Sequence, residues 1–125
     1  MTDPRPRILL VEDDDLLRDS FQILLGDAGY NVLTAGTARN AIDTARSEHP
    51  SLVILDLGLP DRPGLEVVRT LRADPDLAAV PVIALTGRVG AGEEEACLDA
   101  GCNRYLAKPV GASRLLEEMA VFVEA

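Results

Sequence analysis

The sequence predicts an α/β domain built on an open, buried parallel sheet, and three observations carry that expectation. Apolar runs of strand length alternate with segments of helical period, the pattern of repeated βα units. The runs are continuously apolar, as strands covered on both faces are, rather than alternating like those of a half-exposed antiparallel sheet. Apolar residues make up 47% of the chain and aromatics 3%, so the core must come from Leu, Val, Ile and Ala, which suits helices laid on such a sheet. At 125 residues one core is the default, and a single domain over residues 1–125 is expected.

Five βα units can be read in order. The strands are expected at Arg7–Val11, Asn31–Ala35, Leu52–Leu55, Val82–Leu85 and Arg104–Leu106, each buried on both faces. The first helix runs from Asp15 to Ala28, because Leu17, Phe21, Leu24 and Ala28 recur at intervals of four, three and four, and Gly29 stands where a left-handed cap belongs. The second carries Ala38, Ala41, Ile42 and Ala45 on one face, with a Thr37 cap before them and a break at Pro50. The third spans Gly64 to Ala73, with Leu65, Val68 and Leu71 inward and Pro63 near its first turn. The fourth is the weak element. Gly87, Gly90 and Gly92 loosen the chain before it, only Glu93 to Ala100 can wind before Gly101, and mobility is expected there. Its Glu93-Glu94-Glu95 run reads most simply as a solvated first turn favoured by the helix dipole. The fifth follows a Ser113 cap and carries Leu115, Leu116, Met119, Phe122 and Val123.

Composition excludes several functions. A net charge of −9 argues against a nucleic-acid surface, since phosphate binding needs clustered Lys and Arg. Partners should be proteins or cations. The opening Met-Thr-Asp-Pro-Arg-Pro-Arg lacks the apolar stretch of a secretory signal, and no later run approaches the roughly 20 apolar residues of a membrane span. A cytoplasmic protein without membrane contact is expected. Cys97 and Cys102 match no CxxC pair and no Cys or His cluster completes a zinc set, so they read as packed thiols. His49, between Glu48 and Pro50, reads as a solvated helix end.

The polar residues at the strand ends carry the functional signal. Glu12, Asp13 and Asp14 follow the first strand, Asp56 the third, Thr86 and Gly87 the fourth, and Lys108 and Pro109 the fifth. In open parallel sheets ligands bind beyond the carboxyl ends of the strands, so these residues should converge on one cleft. With carboxylates about 5 Å apart, Glu12, Asp13 and Asp56 would repel by roughly 3 kcal/mol per pair at an effective dielectric of about 20. The three pairs sum to about 10 kcal/mol, comparable with the roughly 5–15 kcal/mol stability of a whole domain. Such a group needs a cation or shared protons. A few oxygen ligands with room for water suit magnesium, or manganese in its place, better than zinc. Beside a metal, Asp56 can attack phosphorus through an oxygen and form an acyl phosphate. Lys108 would offset charge on the transferred group, the Thr86 hydroxyl would donate to it, and Gly87 would leave room for the donor. Read singly, each residue has a plainer explanation: a helix start for the acidic triplet, a turn for Asp56, a strand-end hydroxyl for Thr86, a surface cation for Lys108. A calcium-loop reading of Asp13 and Asp15 fails, because Leu17 and Arg18 occupy the places of the next ligand and the glycine.

These residues at these spacings resemble the receiver domain of two-component response regulators, over essentially the whole chain from Arg7 to Val123. Val11-Glu12-Asp13-Asp14 looks like the family's acidic pocket, and Leu55-Asp56-Leu-Gly-Leu-Pro60 with Gly64 like its phosphoacceptor loop. Leu85-Thr86-Gly87 and Tyr105-Leu-Ala-Lys108-Pro109 look like its switch segments. Thr86 lies 30 residues and Lys108 lies 52 residues beyond Asp56, as in the family. The resemblance implies a doubly wound, flavodoxin-like, five-stranded parallel sheet in order 2-1-3-4-5. Helices one and five would cover one face and two, three and four the other, with a switch point between strands one and three where Asp13 and Asp56 meet. It implies that Asp13, Asp56 and the Gly58 carbonyl bind magnesium directly and that Glu12 acts largely through water. Asp56 would take a phosphoryl group from a sensor histidine kinase or a histidine phosphotransfer protein.

Thr86 and Tyr105 are implied as the switch pair, the aromatic turning inward as the threonine moves toward the phosphoryl group. Moving a two-state equilibrium from 1:99 to 99:1 takes about 5.5 kcal/mol. Two or three charge-assisted hydrogen bonds at roughly 1.5–3 kcal/mol each are enough. The surface of helix four, strand five and helix five would then change its partner, a downstream protein target or an output domain outside this sequence. Some positions depart from the family pattern. Pro63 stands where the family often has Asp or Ser and stiffens the loop after Asp56. Gly58 and Arg88 occupy the two places that set phosphoryl lifetime, Gly58 without a side chain to shield an acyl phosphate and Arg88 long enough to reach over it. Arg104 and the acidic fourth helix differ from the DNA-binding subclass that dimerises through this face, which leaves the oligomeric state open.

Rival functions meet specific obstacles. A magnesium-dependent aspartyl phosphatase of the haloacid-dehalogenase type needs a second Asp two residues after the first, where Gly58 stands. The expectation is therefore no free-standing enzyme, only self-phosphotransfer and autodephosphorylation at Asp56. A flavodoxin-like cofactor binder needs a Ser, Thr and Gly loop after strand one, where Glu12-Asp13-Asp14 would repel a phosphate. A receiver that docks without phosphorylation is the remaining alternative, and the five filled chemical positions weigh against it. After the fifth helix only Glu124 and Ala125 remain, so no output domain is expected in this sequence.

Overall fold

The structure is a computed structural model that describes residues 3–87, 90 and 92–124. Five strands, β1 (Arg7–Val11), β2 (Asn31–Ala35), β3 (Leu52–Asp56), β4 (Val82–Thr86) and β5 (Arg104–Ala107), alternate with five helices. The helices are α1 (Asp15–Asp27), α2 (Ala38–Glu48), α3 (Gly64–Ala73), α4 (Glu93–Ala100) and α5 (Ala112–Ala120). All the strand pairs are parallel, in the order β2-β1-β3-β4-β5. The chain winds outward from β1 to β2, returns past β1 to β3, and continues the other way, so a crevice opens at the carboxyl ends of β1 and β3.

Side chains alternate across a strand, and the core accordingly divides in two. Leu9, Val11, Val53, Leu55, Val82 and Ala84 pack with residues of α2, α3 and α4, among them Ile42, Val68 and Cys97. Ile8, Leu10, Leu52, Ile54, Ile83 and Leu85 pack with Leu25 of α1 and with Leu115 and Met119 of α5. The two layers are those the resemblance implies.

Most local expectations hold, with informative departures. Burial on both faces is true of β1, β3 and β4, but β2 is half-buried from Asn31 to Thr34, and β5 exposes Arg104 and Ala107. Both are edge strands with one neighbour each, which apolarity alone does not reveal. Three strands also run one residue further than expected, taking Asp56, Thr86 and Ala107 into the ladder. Thr37 caps α2 by accepting from the Asn40 amide at 3.1 Å. Ser113 does not cap α5: the helix begins earlier, with Gly111 in the cap position and Leu115 donating to the Gly111 carbonyl at 3.0 Å. Phe122 and Val123 lie beyond α5, yet both pack against its core cluster. In α3, Leu65 is half-buried and Val67 takes the inward place, while Pro63 sits in the cap position rather than in the helix. Exposed His49 caps α2 in a left-handed conformation at φ 47. Among the described residues, no helix is long and apolar enough to cross a membrane.

Candidate functional site

Glu12, Asp56 and Thr86 are the buried polar side chains among the described residues, and each stands at the carboxyl end of a strand. Buried carboxylates are rare unless paired. The partner here is Lys108, just past β5. Its Nζ donates to Glu12 Oε1 at 2.7 Å and lies 3.4 Å from Asp56 Oδ2. Its backbone N–H donates to the Thr86 carbonyl at 2.7 Å, which fixes the start of the β5–α5 loop against β4.

The acidic triplet divides its work. Asp14 caps α1, its Oδ1 accepting from the Leu17 amide at 3.0 Å. Glu12 and Asp13 turn to the cleft, where carboxylate oxygens of Glu12, Asp13 and Asp56 lie within 4.8 Å of one another. Glu12 Oε2 also accepts from the Asp14 amide at 3.2 Å, and Arg18, one turn into α1, donates to the Glu12 carbonyl at 2.9 Å. Opposite, Asp56 Oδ1 accepts from the Gly58 amide at 3.1 Å, which sets the carboxylate and places Gly58 beside it.

The β3–α3 loop is held from two sides. A Cβ on Gly64 would sit 2.7 Å from the Leu57 Cα, so the helix can start this close to the strand only with glycine there. The Asp61 carboxylate accepts from the Ala38 and Arg39 amides at 2.8 and 3.1 Å, tying the loop to the first turn of α2. The roles of Asp61 and Arg18 are not legible in the sequence, and Gly64 is singled out there only by the resemblance, without this steric reason. Asp61 meets amides 23 and 22 residues earlier in the chain, and a cap is recognised in sequence only when it is local.

Burial raises the Glu12 carboxyl above its ordinary pKa and the Asp56 charge adds to the rise, while Lys108 and the Asp14 amide pull it back. Burial works against the Lys108 ammonium, but its hydrogen bond to Glu12 and the charges of Asp56 and Glu12 outweigh burial and leave its pKa raised. One fixed cation thus faces three acids, and the cleft keeps an excess of negative charge. The donor set is all oxygen, which fits a hard divalent cation. Beside Asp56 the cleft opens into a cavity of about 590 Å³ lined by Asp56, Gly58, Thr86, Gly87, Glu93 and the rest of the β3–α3 loop.

Glu12, Asp13, Asp56, Gly58, Thr86 and Lys108 therefore come together as the sequence predicts. Thr86 and Tyr105 share a sheet face, because Ala84 is opposite Tyr105 and Thr86 opposite Ala107. Tyr105 is half-buried and packs on the cluster that contains Cys97. Gly87 is exposed, and a Cβ there would meet nothing within 4 Å, so the room beside it does not depend on the missing side chain. Glu93 heads α4 as expected but also reaches the cleft wall, a role its helix-start reading did not show. Arg88 lies outside the described residues.

The sequence pattern of the response regulator receiver domain matches residues 8–120. The polar-differentiation response regulator DivK of Brucella ovis is 36% identical over 110 residues, which cover 88% of this chain and 89% of that protein. The chemotaxis protein CheY4 of Vibrio cholerae superposes with a TM-score of 0.90 at 26% identity, over 95% of this chain and 99% of that one. The receiver domain of the sensor histidine kinase PA1611 from Pseudomonas aeruginosa, solved with a magnesium ion coordinated in its active site cleft, gives 0.87 at 32% identity, over 94% and 97% of the two chains. Sequence pattern and sheet winding agree across nearly the whole domain, and the chain belongs to the response regulator receiver domains of two-component systems.

Proposed function

We propose that this receiver is a phosphorylation-activated switch in which Asp56 accepts a phosphoryl group from the phosphohistidine of a sensor kinase or phosphotransfer protein, and the surface of α4, β5 and α5 changes its partner in response. One observation carries the reading: carboxylate oxygens of Glu12, Asp13 and Asp56 cluster within 4.8 Å of one another while Lys108 Nζ is held 3.4 Å from Asp56 Oδ2. Magnesium fits the oxygen donors, with Asp13, Asp56 and the Gly58 carbonyl as direct ligands and Glu12 acting through water. When bound it supplies charge neutralisation for the acids and for the incoming phosphoryl oxygens. The magnesium ion in the PA1611 receiver supports the same use of this cleft.

The chain's own residues do the rest. Asp56 Oδ1 is engaged by the Gly58 amide, so Oδ2, which faces Lys108, is the attacking atom. An oxygen–phosphorus bond forms there as the phosphorus–nitrogen bond to the donor histidine breaks, and the imidazole leaves. Lys108, kept charged by its neighbours, pairs with a phosphoryl oxygen, and the Thr86 hydroxyl donates to another. Movement of Thr86 opens space on the face it shares with Tyr105, which links the cleft to the outer surface of β5.

The test is intact mass after incubation with acetyl phosphate or phosphoramidate and magnesium, for the wild type and Asp56→Asn. A gain of one phosphoryl group, about 80 Da, is expected in the wild type alone, and lost with a chelator. No adduct, together with no magnesium-dependent response to beryllofluoride, would sink the switch and leave a receiver that docks without phosphorylation.

A further inference from the structure

We propose that Cys97 and Cys102 are a reversible thiol–disulfide pair, oxidised by hydroperoxides, that tethers the end of α4 to the start of β5. Gly101, at φ 116, ends the helix by turning the chain back on itself. Its amide donates to the Leu98 carbonyl at 3.0 Å, and the Cys102 amide donates to the Cys97 carbonyl at 3.1 Å. A cap with these two bonds is frequently accompanied by contact between the side chains on either side of it, and a disulfide needs such neighbours, with Cα atoms roughly 4.4–6.8 Å apart. Both cysteines are free, and both are buried in one cluster. Packing accounts for two buried thiols, but not for what lies beside them.

The neighbour is Arg72 of α3. Its guanidinium donates to the Gly101 carbonyl at 3.0 and 2.8 Å, to the Val80 carbonyl at 2.7 Å and to Asn103 Oδ1 at 3.0 Å. Among the described residues all its acceptors are neutral oxygens, so its charge is not cancelled, but it only partly opposes the neighbouring Cys97 and the burial that together push the Cys102 thiol well above its ordinary pKa. The neighbouring Cys102 thiol holds Cys97 below its ordinary pKa, against the effects of burial and of Glu93 and Glu94. The two thiols therefore differ in acidity, Cys97 being the readier to ionise and Cys102 the one left to resolve. Reagent reaches it by local opening of α4, a helix of 8 residues whose start is a glycine.

The chemistry balances with a hydroperoxide as oxidant. A thiolate of the pair attacks the terminal peroxide oxygen, the O–O bond breaks, and a sulfenic acid forms as water or an alcohol leaves. The sulfur of the second cysteine then attacks the sulfenic sulfur, the S–S bond forms, the S–O bond breaks and water leaves. Two thiols have lost two electrons and the peroxide has gained them. Only the residues 98–101 lie inside the ring, so the crosslink constrains the unfolded chain little and suits a bond made and broken in use. Its consequence rests on the proposed switch: α4 carries Glu93 into the cleft wall and Cys97 into the cluster under Tyr105, so a tethered α4 should change how readily Asp56 is phosphorylated.

The experiment treats the purified domain with hydrogen peroxide, then denatures it in N-ethylmaleimide and measures intact mass. Wild type should lose about 2 Da, take up no alkyl group, and recover both thiols with dithiothreitol. Cys97→Ser and Cys102→Ser should each abolish the loss. Sulfinic or sulfonic adducts alone, a crosslink between two chains, or two thiols surviving peroxide that oxidises the urea-unfolded chain would each overturn the pair. Acetyl phosphate uptake is then compared in the reduced and oxidised forms, with at least a twofold difference expected. Equal rates overturn the regulatory consequence, whereas uptake by neither form counts against Asp56 as acceptor and leaves the thiol result standing on mass alone.

Discussion

Lys108 decides the charge balance of the cleft, since it is shared between Glu12 at 2.7 Å and Asp56 at 3.4 Å. Two uses of that cation are distinguishable. If it neutralises Glu12 alone, its loss is met by protonation of a carboxyl that burial already pushes upward. If it also pairs with the transferred group, its loss removes a charge-assisted bond worth roughly 1.5–3 kcal/mol. The second use predicts that Lys108→Met takes up acetyl phosphate about 10- to 100-fold more slowly than wild type, read by timed intact mass. A rate within twofold of wild type would assign the cation to Glu12 only. The residues of this cleft were legible because a polar side chain directly after a buried apolar run is a local anomaly, visible at Glu12, Asp56 and Thr86, and Lys108 stands at the matching end of the fifth strand. Arg18 and Asp61 were not, because each owes its role to a partner that the fold brings near, and Gly64 was singled out only by the resemblance, without the close approach to Leu57 that requires it.

At the scale of elements, the tie between the β3–α3 loop and α2 gives the clearest pH dependence. Exposed Asp61 accepts from the Ala38 and Arg39 amides, and these bonds hold its pKa below the ordinary value, the Ala38 amide most of all, against the opposing effect of desolvation. A carboxyl depressed by folding contributes stability that is fully present above its unfolded pKa of about 3.8 and lost as pH falls through the lower folded value. Asp61→Asn keeps one acceptor and removes the charge. Its melting temperature should therefore fall below that of wild type at neutral pH, and the gap should close as the pH drops below the ordinary Asp range. A gap that persists unchanged in acid would mean that the side chain acts by shape rather than by charge. The helices themselves were read well where periodicity and a cap coincide, as in α1 and α2. They were read less well where hydrogen bonding began earlier than the polar residue suggested, as at Gly111 before Ser113.

At the scale of the molecule, alternating apolar runs declare a parallel sheet but say nothing of the order in which its strands lie. The order came from the resemblance, and with it came the edges that periodicity misjudged in β2 and β5. That order is also what brings Glu12 and Asp13, after β1, against Asp56, at the end of β3, in a chain that already carries a net charge of −9. The fold therefore holds like charges together at a cost that a bound cation should relieve. Ligand that binds only the folded state stabilises it by RT ln(1 + [L]/Kd), about 1.4 kcal/mol at tenfold excess over Kd. For a domain of this size that corresponds to a rise of about 3–6 °C in melting temperature. Wild type in millimolar magnesium should show that rise over wild type in chelator. Asp13→Asn should melt slightly higher than wild type in chelator, because one like charge is gone, and should lose most of the magnesium response. The two effects have opposite signs and a common origin. A wild type indifferent to magnesium, or an Asp13→Asn protein that melts lower in chelator and still responds, would mean that the three carboxylates are reconciled by Lys108 and shared protons rather than by a metal.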